Sequence, residues 1–125
     1  MFYTEFYNHK GNAMQNTAID QLKNSWLELS TMEQLTNIGC EINKAIDLRR
    51  NHNQFKEVIE EALKLLELTI IDPKNVKRLR EIIVVKQLVI DDFFGKNEFQ
   101  STDEAWHKYF AFFERLVKNQ KEDQL

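Results

Sequence analysis

Residues 79–95, which read LREIIVVKQLVIDDFFG, decide the fold class predicted for this chain. At helical spacing, most of the apolar residues share one wide stripe, and three more lie on the other side. The stripe comprises Leu79, Ile82, Ile83, Val89, Ile90, Phe93 and Phe94, and the other side carries Val84, Val85 and Leu88. The IIVV run has strand propensity, but the chain offers no convincing second strand to pair with it. We therefore predict a helix over about 73–94.

A helix that is apolar on most of its circumference must be covered on more than one side. In a chain of 125 residues, two arrangements achieve this. The helix is either the central one of a bundle, or its outer side meets a second subunit.

Four further helices are predicted before and after this one in the sequence. They lie over about 18–29, 31–50, 54–71 and from 101 onward. Capping boxes are predicted at Ser30–Glu33 and Ser101–Glu104, and Asp72 is expected to cap a helix that begins at Pro73. Gly95 is expected to end its helix as a left-handed cap. Gly39 lies inside the apolar stripe of the second helix, which predicts close approach of another helix there.

The predicted fold is all-α: a compact bundle of four main helices with a short leading helix. The boundaries are an N-terminal arm at 1–16, the bundle at 17–118 and a polar tail at 119–125. The arm carries four aromatic residues, Phe2, Tyr3, Phe6 and Tyr7. We expect them to dock on the domain or on a neighbouring subunit, and a recognition arm is the alternative.

Composition excludes several classes of protein. Three glycines and one proline exclude collagen-like and low-complexity chains, and the single Cys40 excludes an intramolecular disulfide framework. A reducing, cytoplasmic location is expected. No apolar run approaches the roughly 20 residues that span a bilayer, and the start of the chain lacks the basic residues of a signal peptide. The net charge of −3 offers no general attraction for nucleic acid or an anionic membrane.

Three polar residues are candidates for a ligand site. Lys86 lies in the apolar stripe of the helix at 73–94, where an ammonium group must find a partner or lose its proton. It would bind an anionic ligand or act as a nucleophile; otherwise its stem reaches the surface or it pairs with a bundle carboxylate such as Glu41. Asn37 and Glu41 lie one turn apart beside Gly39, either as a polar patch or as a solvated face. The pattern contains no metal-ligating cluster and no catalytic motif, and it predicts no cofactor.

A second set of candidates is basic: Arg49, Arg50, Lys74, Lys77, Arg78 and Arg80. Such residues would bind a phosphate backbone if they converged on one face. Nearby acidic residues offset part of the positive charge of this set, so nucleic-acid binding is only an alternative hypothesis.

Residues 26–41 read W-L-x-L-S-x-x-E-Q-L-x-N-I-G-x-E. This pattern, continued at 61–70 and 94–97, resembles a family of small, uncharacterised bacterial helical proteins over roughly residues 25–113. The resemblance implies an all-helical fold and supplies no known activity to carry over to this chain. The second and third helices are also similar, at the level of the fold, to four-helix proteins encoded in ribosomal-RNA intervening sequences. That resemblance implies oligomerisation, and some of those relatives contact nucleic acid.

These observations lead to one main hypothesis and two alternatives. The main hypothesis is a non-enzymatic protein that acts by protein–protein association, as a homodimer or higher oligomer formed through the helix around Val85 and aromatic surfaces. The alternatives are a nucleic-acid-associated accessory protein and a small-ligand site around Lys86.

Overall fold

A computed structural model describes the backbone of residues 13–123 and the side chains of residues 21–120. The described residues form five α-helices: α1 (Ala13–Glu28), α2 (Thr31–Arg50), α3 (Lys56–Ile71), α4 (Leu79–Phe94) and α5 (Asp103–Asp123). A 3₁₀ helix, Pro73–Arg78, joins α3 to α4, and this part of the chain contains no strand. The prediction of an all-α bundle is confirmed.

The two ends of the bundle differ from the predicted boundaries. α1 already begins at Ala13, within the predicted arm, and α5 continues to Asp123, within the predicted tail. The aromatic residues predicted to dock, at positions 2–7, lie outside the described residues.

The centre of the bundle is α2, which packs against both α3 and α5, whereas α4 packs mainly against α3. The predicted capping box at Ser30 and Glu33 starts α2, with both hydrogen bonds present. One face of α2 is fully buried, and its apolar members are Leu35, Ile38, Ile42, Ala45 and Ile46. Each large aliphatic side chain in this set contributes about 1.5–3 kcal/mol relative to full exposure. The alternative that the helix around Val85 is the central one is therefore wrong.

Gly39 allows α2 and α5 to approach each other closely, as predicted. A Cβ atom placed on Gly39 would lie 2.6 Å from both Cβ and Cγ of Phe110. Carbon atoms in contact are normally about 3.5–4.0 Å apart. The glycine in this helix is explained by the position of the Phe110 side chain.

The predicted helix over about 73–94 is divided in two. Asp72 caps the first part as expected, because its carboxylate accepts a hydrogen bond from the backbone N–H of Lys74, and Pro73 follows it. However, residues 73–78 form a 3₁₀ helix, and the α-helix begins only at Leu79. The tight turn places Asn75 in the core, where it is 2% exposed.

The connection from α4 to α5 differs from prediction at both ends. Gly95 has φ −102° and is not a left-handed cap. A Cβ there would lie 2.9 Å from the backbone oxygen of Asp91, so glycine serves close packing instead. The hydroxyl of Thr102, not of Ser101, accepts from the backbone of α5, at Ala105. Ser101 instead donates its backbone N–H to the side chain of Asn97.

α4 buries only one stripe within the chain. Ile82, Val85, Val89 and Phe93 are at most 6% exposed. The apolar residues on either side of this stripe, Ile83, Val84, Ile90 and Phe94, remain 38–44% exposed. The expectation that this helix is wrapped on most of its circumference is wrong for the described part of a single chain, because there α4 packs closely only against α3 and the adjoining 3₁₀ helix.

Candidate functional site

The polar candidates do not form one site. Lys86 reaches Glu67 of α3, with 3.5 Å between its Nζ and the carboxylate, and 31% of its side chain is exposed. Glu41 is buried and pairs with Lys44 on its own helix at 3.2 Å. Asn37 is exposed. Among the described residues no hydrogen bond or ion pair joins these candidates. Lys86 pairs with a bundle carboxylate, as one alternative predicted, but that carboxylate is Glu67 rather than Glu41.

The basic candidates fall into two groups at opposite ends of α2. Thr31, at one end of α2, hydrogen-bonds to Asn75, while Arg49 at the other end binds Asp92. Arg49 follows Thr31 by 18 residues, which corresponds to about 27 Å of helix. The arginines at 49 and 50 therefore lie far from the group formed by Lys74, Lys77, Arg78 and Arg80.

Carboxylates of the same chain neutralise most of these basic side chains. Arg49 binds Asp92 at 3.0 Å and Asp103 at 2.9 Å, and Arg50 binds Asp103 at 2.9 Å. The guanidinium of Arg49 also lies 4.1 Å from the centre of the Phe93 ring. The Arg49 side chain thus connects the end of α2 to the end of α4 and the start of α5.

In the second basic group, Lys74 pairs with Asp72, and Arg78 pairs with Glu81 at 2.9 Å. Lys77 and Arg80 are exposed and have no hydrogen-bond or ion-pair partner among the described residues. Only these two candidates carry charge that the described residues leave unneutralised.

A buried polar network that sequence reasoning missed ties α1 and α2 to the turn after α3. The Gln34 amide is fully buried and donates hydrogen bonds to Asp72 and to the backbone oxygen of Trp26, both at 3.0 Å. Asn75 donates to the Gln34 side chain and to the backbone oxygen of Thr69, both at 2.8 Å. The indole of Trp26 donates to the Thr69 hydroxyl at 3.0 Å.

This network is an internal support rather than a ligand site. Every buried side-chain nitrogen and oxygen in the described residues has a hydrogen-bond partner. Burial by itself raises the pKa of the Asp72 carboxyl, but hydrogen bonds from Lys74 and Gln34 outweigh this effect and hold the pKa below its ordinary value. The Asp72-Pro73 pair indicates the start of a helix in the sequence. In contrast, nothing in the sequence distinguishes Gln34 from a solvated glutamine.

A groove of about 680 Å³ lies between α4 and α5. Val84, Val85 and Leu88 form one wall, and Ala105, Trp106 and Tyr109 form the other. Lys77, Arg80 and Glu81 lie at one end and Ser101 at the other.

The groove exists because α4 and α5 meet through side chains while their backbones stay apart. The Tyr109 hydroxyl donates to Glu81 at 2.9 Å near the start of α4, and the Trp106 indole donates to Asp92 at 2.8 Å near its end. Burial and then the neighbouring Glu81 carboxylate raise the pKa of the Tyr109 hydroxyl, which therefore stays protonated and continues to donate. These two bonds join α4 and α5 at two points along α4.

The outer flank of α4 is a separate apolar surface on the other side of its buried stripe. We define it as Ile83, Ile90 and Phe94, which are 38%, 41% and 44% exposed. At 100° per residue these three side chains fall within about 40° of one another. Lys86 and its partner Glu67 lie beside them.

The described residues contain neither a metal-binding cluster nor a membrane-spanning helix. No three His, Cys, Asp or Glu side chains there are placed to hold a metal ion. Each helix in that part of the chain is too short or too polar to cross a bilayer.

Comparison of the chain with models of known protein families, with curated proteins and with solved structures finds no match.

Proposed function

We propose that this protein is a non-enzymatic helical-bundle protein that associates with a second copy of itself through the outer flank of α4. One observation carries the proposal: three large apolar side chains on one helix remain about 40% exposed in a single chain. A row of such residues on a bundle surface is typical of an interaction site. The single Cys40, an exposed free thiol, supports the further proposal of a reducing, cytoplasmic location.

The spacing of the flank supports a helix–helix contact. Ile83 and Ile90 are seven residues apart, and Phe94 follows one turn later. Apolar residues at this spacing form the seam between paired helices. From Ile83 to Phe94 the row is about 16 Å long, enough for two copies of α4 to cross.

The charges beside the flank support a second copy as the partner. Lys86 and Glu67 form a pair in which Glu67 is still 60% exposed. In a two-fold symmetric dimer the same patch faces itself, so each copy offers a cation and a carboxylate to the other. A surface that carries one charge of each sign next to its apolar row is therefore complementary to itself, and the charges would fix the register of the pair.

The test is the mass of the protein in solution. Analytical ultracentrifugation across micromolar to sub-millimolar concentrations should show a concentration-dependent dimer. Ile90→Glu should give a monomer at every concentration, because it places a carboxylate in the seam. Val84→Glu is the matched control, since Val84 is 44% exposed on the same helix but on the groove side. A monomeric parent chain, or equal effects of the two substitutions, would refute the proposal.

The two alternatives receive no such support. Nucleic-acid binding required the basic residues to converge, and they lie at opposite ends of α2. The small-ligand site required Lys86 to meet Glu41 or Asn37, but Lys86 pairs with Glu67 and Glu41 pairs with Lys44.

A further inference from the structure

We propose that the groove between α4 and α5 binds a single-chain anionic amphiphile, a fatty carboxylate, with its carboxylate at Lys77 and Arg80 and its hydrocarbon chain along the apolar walls. This site is independent of the outer flank of α4, because it lies on the other side of the helix's buried stripe. Either proposal can therefore fail without the other.

The walls of the groove suit a hydrocarbon chain. Its middle is apolar from both sides, and Val84 remains 44% exposed there. The polar groups of the walls are already engaged: Tyr109 donates to Glu81, and the Trp106 indole donates to Asp92. A guest between these walls meets carbon surface without breaking a hydrogen bond. The volume, about 680 Å³, falls within the range typical of pockets for small molecules.

The charge at the two ends of the groove determines the class of head group. Lys77 and Arg80 are exposed and lack a partner among the described residues. The carboxylate at this end, Glu81, is held by Arg78 and by the Tyr109 hydroxyl. Two available cations at one end of an apolar trough are complementary to one anionic head group. The opposite end carries the neutral Ser101.

The length of the groove matches one alkyl chain. From Arg80 to Leu88 the wall covers eight residues of helix, about 12 Å. A chain lying along α4 from the basic end therefore passes Val84 and ends beside Leu88. A diacyl lipid would leave its second chain outside, because each wall offers a single row of apolar side chains.

Nuclear magnetic resonance of the full chain with dodecanoate, below its micelle concentration, tests the proposal. Trp106 lines the groove and Trp26 does not, so the two indole N–H signals provide a reporter and an internal control. The Trp106 signal should shift with saturation while the Trp26 signal stays in place. Dodecyltrimethylammonium, which has the same chain and a positive head group, should bind at least tenfold more weakly.

Substitutions in the protein test separately how the head group and the hydrocarbon chain of the ligand contribute to binding. The double variant Lys77→Gln with Arg80→Gln should weaken dodecanoate binding about tenfold. Lys56→Gln with Lys96→Gln is the charge-matched control, since both residues are exposed and outside the groove, and it should leave affinity unchanged. Val84→Glu, which places a carboxylate in the wall, should abolish the Trp106 shift.

Three results would overturn the proposal. The first is the absence of a saturable Trp106 shift with dodecanoate, which would show that the groove does not bind an anionic amphiphile. The second is equal binding of the cationic amphiphile. The third is equal weakening by the two double variants, which would show that only net charge matters.

Discussion

Gly39→Ala is expected to destabilise the protein, although alanine favours a helix. In helix propensity alone the substitution gains about 1 kcal/mol. The added Cβ would lie 2.6 Å from Cβ of Phe110, roughly 1 Å inside a normal contact. Because that Cβ is bonded to the α5 backbone, rotation of the Phe110 ring cannot relieve the contact, and α5 itself must move.

The displacement would disturb a tightly packed aromatic layer. Phe110 is 3% exposed, and its ring contacts those of Trp106 and Tyr109 at centroid distances of 6.1 and 4.9 Å. Overpacking of a core costs about 1–3 kcal/mol. Since α2 and α5 form the main helix pair of the bundle, we expect a value near the upper end. After the gain in helix propensity, the net loss should be about 2 kcal/mol.

Urea unfolding followed by circular dichroism, at one protein concentration for all variants, measures this loss. Asn37→Ala, at an exposed position of the same helix, is the control, and it should be neutral or stabilising by a few tenths of a kcal/mol. If Gly39→Ala were as stable as the parent chain, the explanation of Gly39 by close helix approach would be wrong.

Three further predictions concern the charged and titrating side chains. Arg49→Ala should cost about 2–3 kcal/mol in urea unfolding, because it removes both hydrogen bonds that Arg49 donates to the Asp92 carboxylate, which is 5% exposed, and leaves that carboxylate without a counter-charge. Arg50→Ala, at a side chain 56% exposed, should cost less than about 1 kcal/mol. Equal losses would contradict this ranking. The pKa of the Asp72 carboxyl is lowered in the folded state, so its contribution to the free energy of unfolding is complete above its unfolded pKa near 4 and is lost as the pH falls through the folded pKa. The stability advantage of the parent chain over Asp72→Asn should therefore shrink in acid, and a constant difference from pH 6 to pH 2 would refute it. The pKa of Tyr109 is raised, so its contribution is present below pH 10 and declines as the pH rises further. Ultraviolet titration should find the same number of ionising tyrosines at pH 11 in the parent chain and in Tyr109→Phe, and one fewer in the variant would contradict the buried hydrogen bond to Glu81.

Local signals in the sequence predicted local structure well. The capping box at Ser30, the Asp72 cap and the glycine contact at Gly39 all rest on interactions within a few residues or on the absence of a side chain. Errors occurred where neighbouring residues offer alternative caps or turns. Thr102 replaced Ser101 as the cap of α5, and a 3₁₀ turn replaced the first turns of α4.

The candidate sites were less predictable. The helical wheel placed Lys86 among apolar neighbours, but it could not show that Glu67 of the adjacent helix lies within reach. The arginines at the end of α2 were visible as a basic cluster, whereas the aspartates that neutralise them lie more than 40 residues away in sequence. Pairing over such separations depends on how the helices pack.

Periodicity and capping thus determined that the chain is helical, about where each helix lies and which side of α2 is buried, because these properties follow from the 3.6-residue turn and from neighbouring side chains. Tertiary packing alone decided which helix is central, that Gln34 is buried, and that α4 and α5 stand apart around a groove. A helix can bury its apolar side against any neighbour of suitable shape. The choice of neighbour depends on contacts such as Gly39 with Phe110 and Arg49 with Asp92, which form only when the whole bundle assembles.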